Sequence, residues 1–167
     1  MRTVYLCRHA KSDWGNALLT DHDRPLNARG ERNAPFMAKR FAQRGEPVDR
    51  ILSSTALRAR TTAYCYADAL GIPQADVVLV PELYHPSVET IQRVINALPN
   101  TITRVMLFGH NPGHTLAVDH FADGSVGLMP TAGIARIDML VDDWQAVARG
   151  TGTVVWQDMP KRHPGQG

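Results

Sequence analysis

The chain has 167 residues, and its 18 lysines and arginines against 16 aspartates and glutamates leave a formal charge of +2. That length suffices for one continuous apolar core, and so nearly neutral a balance gives no reason to expect binding to nucleic acid or an anionic membrane. Two cysteines, Cys7 and Cys65, make neither a C-x-x-C pair nor a disulfide framework, and no apolar run approaches the ~20 residues of a membrane span. The chain opens directly on a strand pattern with no room for a leader, so a cytoplasmic monomer is expected.

In chain order, Val4-Tyr5-Leu6-Cys7 is an apolar, β-favouring run that ends on Arg8-His9-Ala10. Cys7 inside it reads as a small core residue. A polar loop follows from Lys11 to Asn27. Asn27 then caps a helix running to about Arg44, with Glu31 in its first turn, Gly45 as its stop, and Ala34, Met37 and Phe41 on its buried face. Pro35 predicts a kink there or a later start.

Val48 to Ser53 is a second strand, after which Ser54 or Thr55 can cap a helix that buries Ala59, Ala63, Tyr66 and Leu70. Gly71 and Pro73 end it. Val77 to Val80 is a third strand; the turn Pro81-Glu82-Leu83-Tyr84-His85-Pro86 leads to Ser87, which caps a helix with Ile91, Val94, Ile95 and Leu98 inward. Val105 to Gly109 is a fourth strand, and Asn111 and Pro112 are the preferred Ncap and N1 residues of the next helix. Ile134 to Leu140 and Thr153 to Gln157 look like strands around a turn near Asp142 and Asp143. The tail from Pro160 to Gly167 is expected to be disordered. Strands alternating with helices predict an α/β fold, a three-layer α/β/α sandwich with a mostly parallel central sheet, filling residues 1–159 as one domain.

Arg8, His9, Arg58 and His110 all fall at predicted strand-to-helix junctions. In an open parallel sheet, ligands bind beyond the carboxyl ends of the strands, so neighbouring strands would bring His9 and His110 into one crevice. Guanidinium forks match phosphoryl oxygens, a neutral imidazole can attack phosphorus, and the helix after His110 adds a positive dipole end. Taken singly, each residue has a duller reading: an Arg-His dipeptide means little, and Arg58 alone would be a solvated helix residue.

Arg8-His9-Ala10 resembles the Arg-His-Gly signature of the histidine phosphatase superfamily, the group that includes the phosphoglycerate mutases. Ser53-Ser54-Thr55-Ala56-Leu57-Arg58-Ala59-Arg60-Thr61-Thr62-Ala63 resembles its second arginine segment, and Gly109-His110-Asn111 its second histidine. Within it, Arg8-His9-Ala10-Lys11-Ser12-Asp13-Trp14 and Asp23-Arg24-Pro25-Leu26-Asn27 look most like the small SixA-type phosphohistidine phosphatases. The resemblance implies a phosphoglycerate mutase-like fold and a phosphatase with His9 as nucleophile. Arg8, Arg58 and His110 would complete the phosphate pocket, Arg24 would reach it from the loop, and Asn111 would sit beside the substrate. Glu82 lies where larger members carry a glutamate proton donor, so the resemblance makes it a candidate acid, which would need a pKa raised by burial. No metal or organic cofactor is implied. The implied partner is a phosphorylated protein carrying phosphohistidine, or a small phosphorylated metabolite. Ala10 departs from the usual glycine and questions the local backbone angle.

Rival chemistries fare worse. A cysteine phosphatase needs an arginine six residues after its thiolate, and those positions hold Asp13 and Gly71. Asp21-x-Asp23 could serve an aspartyl-phosphate enzyme, but no apolar strand feeds it. His110-x3-His114 lacks the glutamate of H-E-x-x-H. A phosphatase of small phosphoesters, such as a sugar phosphate or nucleotide, and a non-catalytic phosphate-recognition module both keep the pocket and change the job; the second would not need a nucleophile. His22, His85, His114 and His120 carry no motif.

Overall fold

The computed structural model describes residues 1–124 and 127–166. Its elements are β1 (Arg2–Arg8), α1 (Ala28–Gln43), β2 (Arg50–Ser53), α2 (Leu57–Leu70), β3 (Val78–Leu79), α3 (Val88–Asn96), β4 (Arg104–Gly109), α4 (Gly113–Ala122), β5 (Ile134–Met139) and β6 (Gly152–Asp158). Among the described residues these strands form one sheet in the order β3-β2-β4-β1-β5-β6. β3, β2, β4 and β1 are parallel; β5 runs antiparallel to β1, and β6 antiparallel to β5.

The centre of the sheet is buried on both faces, so its strands read as continuous apolar runs. Val4 and Leu6 of β1, with Val105 and Leu107 of β4, pack on Ile91 and Ile95 of α3 and on Ala117, Val118 and Phe121 of α4. The alternate residues Tyr5, Cys7, Met106 and Phe108 face Met37 and Phe41 of α1 and Ala63 and Tyr66 of α2. The expected three-layer sandwich is therefore the observed one. Cys7 is core as expected, and burial pushes its thiol well up. No helix among the described residues is long and apolar enough to cross a membrane.

Local expectations hold where a side chain is free to cap. The Asn27 side chain accepts from Gly30 N, and that of Ser87 from Thr90 N. Four differ. α1 starts at Ala28 and continues through Pro35, which lies on its exposed side, so the later start is not taken. α2 begins after Ala56, with no side-chain cap from that residue; Ser54 Oγ accepts from Ala56 N and from His110, and Thr55 bonds His22. β3 shrinks to two exposed residues on the sheet edge. The tail is folded where disorder was expected: Pro160–Arg162 form a 3₁₀ turn with Pro160 buried, and His163 bonds the Asp158 carboxylate at 2.7 Å.

α1 abuts the loop that leaves β1. A Cβ on Gly30 would stand 2.1 Å from the Lys11 carbonyl oxygen, and that carbonyl already accepts from Asn27 N. Backbone, unlike a flexible side chain, cannot turn aside. Gly30→Ala is therefore expected to cost about 1–3 kcal/mol despite alanine's better helix propensity. The check is the urea midpoint, which should fall at constant m-value; an unchanged or raised midpoint would show that the loop yields freely.

Candidate active site

β1 and β4 are parallel neighbours in the register Arg8↔Gly109, so the residues after them leave the sheet side by side. His9 and His110 are those residues, and their ring centroids lie 5.2 Å apart. The backbone of His9 is pinned on both sides: its N–H donates to Gly109 O at 3.0 Å, and its carbonyl accepts from Ala132 N at 2.9 Å. Its Nδ1 lies 2.7 Å from Ala10 O. A carbonyl can only accept, so Nδ1 carries the proton and Nε2 keeps its lone pair. Burial, then the charges of Arg58, Arg8 and Arg24, lower the His9 pKa to about 3, against the opposing pull of the Ala10 hydrogen bond. The imidazole is thus neutral at ordinary pH. Ala10 has no positive φ, so alanine in place of glycine costs the backbone nothing; its N–H donates to Thr62 Oγ1, tying β1 to α2.

His110 is held from both ring nitrogens. Arg58 Nη2 approaches Nδ1 at 3.4 Å, and Nε2 lies 2.8 Å from Ser54 Oγ. A guanidinium only donates, so Nδ1 is the acceptor and Nε2–H donates to the serine. Burial, then neighbouring His9 and Arg58, push the His110 pKa far down as well.

These rings line a cavity of about 220 Å³ together with Arg8, Arg24, Arg58 and the loop residues Ser12, Trp14 and Asp21. Arg58, in the first turn of α2, is only 2% exposed, so it is a wall of the pocket rather than a solvated surface residue. Arg8 donates to Met129 O from Nη1, while its buried Nε has no partner. Arg24 stacks over the Trp14 ring at 3.4 Å and donates to Ser12 Oγ at 2.7 Å.

Asp21 closes the mouth. Its carboxylate takes Arg58 Nη2 at 3.0 Å, Arg24 Nη2 at 3.1 Å, His85 Nε2 at 3.1 Å and the Tyr84 hydroxyl. Burial opposes the charge, but the bonds from Tyr84, His85 and Arg58 prevail and hold this carboxyl well below its usual range. Arg24 is therefore both a cavity residue and a partner of Asp21.

One expected site residue needs correction. Glu82 is exposed on the turn Pro81–Leu83 and is not among the cavity residues, because Leu83 beside it is the buried anchor. Asn111 lines the cavity and is held in place by its amide: Oδ1 accepts from Thr115 N and Oγ1, and one Nδ2 N–H donates to Met129 O. It braces the segment around Met129, which Arg8 also grips. Ncap geometry falls to Pro112 rather than Asn111.

Sequence reasoning missed Ser54, Asp21, Tyr84 and His85. Ser54 follows the carboxyl end of β2, so the rule that singled out both histidines could have found it. The other three sit in two loops and share no periodic signal.

His114 is no ligand partner for His110. It is fully buried, with Nε2 donating to Leu107 O at 3.2 Å and Nδ1 unpartnered. Burial lowers its pKa from 6.5 to about 4. Between those values the unfolded chain binds the proton and the folded chain does not. Stability consequently rises with pH through this window and is lost as pH falls. The loss expected from this residue is about 2 kcal/mol near pH 5. His114→Gln, which keeps a donor for Leu107, should flatten the acid limb of melting temperature against pH; an unaltered limb would refute the assignment.

The family model of the histidine phosphatase superfamily (branch 1) matches residues 4–100. An uncharacterized protein of Mycobacterium tuberculosis strain H37Rv is 31% identical, over 92% of this chain and 99% of its own length. Among solved structures, the Agrobacterium tumefaciens protein to which the name SixA has been given aligns with TM-score 0.81 at 31% identity, covering 95% of this chain and 98% of that one. The protein histidine phosphatase SixA complexed with tungstate aligns with TM-score 0.82 at 26% identity, covering 96% and 98%. With the matched segment spanning β1 to α3, and both histidines on one cavity, the chain belongs to the histidine phosphatase superfamily.

Proposed function

We propose that this phosphatase removes phosphate from phosphohistidine on a protein, through a phosphohistidine intermediate formed on His9. The observation that carries the reading is the state of that ring: Nδ1–H is bound to Ala10 O, leaving the Nε2 lone pair in a cavity walled by arginines. In the first half-reaction, Nε2 bonds to phosphorus as the bond to the leaving group breaks. Arg8, Arg58 and Arg24 offer fork-shaped donors to the phosphoryl oxygens, and the planar transition state gains most from donors already fixed in place. In the second, water attacks phosphorus and the N–P bond breaks, returning the neutral imidazole. Tungstate, bound by the SixA relative, is a tetrahedral oxyanion of the shape this cavity would hold.

A protein substrate is favoured by the mouth. The cavity opens to solvent, Trp14 at its rim is 72% exposed, and Leu18 and Leu19 are exposed further along the same loop. An apolar rim around a small anion site suits a protein surface. The test is rapid-quench labelling with a phosphohistidine peptide, run beside a sugar phosphate and a nucleotide. An acid-labile phosphoenzyme and fastest release from the peptide are expected. Faster turnover of a small ester would overturn the substrate, and phosphate release without a labelled intermediate would overturn the mechanism.

A further inference from the structure

The cavity holds an imidazole that the mechanism above leaves idle. The turn Pro81–Leu83, anchored by buried Leu83, carries Glu82 outward and delivers His85 to the pocket, with Tyr84 beside it bonded to Asp21. The His85 ring lies 4.3 Å from that of Tyr84 and 4.9 Å from that of His110, centroid to centroid. Its Nε2 donates to Asp21 Oδ2 at 3.1 Å, and Nδ1 has no hydrogen-bond partner among the described residues. The backbone is at φ +49°, in the left-handed region that non-glycine residues rarely adopt. Strain of this kind clusters at functional sites, and here it sets an imidazole against a carboxylate at the rim of an anion pocket.

We infer that His85, oriented by Asp21, is the proton donor and acceptor of this site, and that it extends the site's substrates to phosphomonoesters with poor leaving groups. The inference rests on the phosphohistidine mechanism of His9. Asp21 fixes the ring through Nε2–H, as the carboxylate of a Ser-His-Asp triad fixes its histidine. Protonated His85 then has a second N–H, at Nδ1. As His9 Nε2 bonds to phosphorus and the P–O bond breaks, the leaving alkoxide takes that proton and departs as alcohol. Neutral His85 next accepts a proton from water as the water oxygen bonds to phosphorus and the N–P bond breaks. Inorganic phosphate leaves, both histidines are restored, and the sum is ester plus water to alcohol plus phosphate. The charged and titratable groups facing His85 are Asp21, Tyr84 and His110, with Arg58 behind Asp21.

The experiment compares wild type, His85→Asn and Glu82→Gln on 4-nitrophenyl phosphate, whose leaving group needs no proton, and on phenyl phosphate and an alkyl phosphate, whose leaving groups do. Asparagine tolerates the left-handed backbone, so the fold survives, and a retained kcat/KM on the nitrophenyl ester, which reads only the step that phosphorylates His9, serves as the control. His85→Asn is expected to lower kcat/KM about 100-fold or more on the unactivated esters, while leaving the activated ester within about threefold. Glu82→Gln is expected to change neither. An equal fall on all three esters would make His85 a packing residue and overturn the inference. A selective loss in Glu82→Gln would overturn it in favour of the carboxyl. If wild type turns over none of the esters yet forms the phosphoenzyme from phosphohistidine, the ester chemistry is overturned and the His9 reading stands. If it forms no phosphoenzyme from any substrate, both fall.

Discussion

His9→Ala is expected to abolish turnover, lowering kcat by about 10⁴-fold or more while the fold survives. The backbone contacts that place this residue, from its N–H to Gly109 O and to its carbonyl from Ala132 N, do not involve the side chain. Among the described residues, the side-chain hydrogen bond forfeited is the one from Nδ1 to Ala10 O. His110 cannot stand in, because both its nitrogens are engaged, by Arg58 and by Ser54. Phosphate release and the melting curve together decide the matter. Residual activity near wild type would remove His9 from the mechanism, and loss of the cooperative transition would mean that the ring holds the fold.

Arg58→Ala should lower kcat/KM by about 10²–10³-fold, the ~3–4 kcal/mol scale of a lost transition-state donor. Two effects act in the same direction. The pocket loses a fork that is almost wholly buried, where a charge is felt most strongly. The Asp21 carboxylate, relieved of that partner, also repels an entering anion more. Arg58→Lys restores the charge without the planar fork and should recover only part of the loss. Unchanged kinetics with lowered stability would reduce Arg58 to the partner of Asp21.

What was legible in the chain was what depends on local pattern and on topology. The runs Val4 to Cys7 and Val105 to Phe108 are buried on both faces, so they stand out as apolar, and each ends on a charged or polar junction where a parallel sheet opens. Asn27 and Ser87 cap their helices because nothing else competes for their oxygens. Ser54 and Thr55 have equal capping chemistry but lie against His110 and His22; Ser54 Oγ serves both Ala56 N and the His110 ring, a tertiary use that local pattern does not reveal. Glu82 was drawn in by resemblance, whereas direction along a 3₁₀ turn is settled by which neighbour the core takes, here Leu83. The meeting of Asp21 with Tyr84 and His85 joins loops more than sixty residues apart, and no spacing rule encodes it.

Asp21 has a consequence for selectivity. Because its carboxylate occupies part of the arginine donors at the mouth, an arriving ion must compete with a resident counter-charge supplied by the chain itself. A chloride or a lone carboxylate brings no more charge than it would displace, whereas a phosphoryl dianion brings twice as much, with more oxygens to share. The threshold is set by the loop, and it filters ligands by valence before shape is consulted.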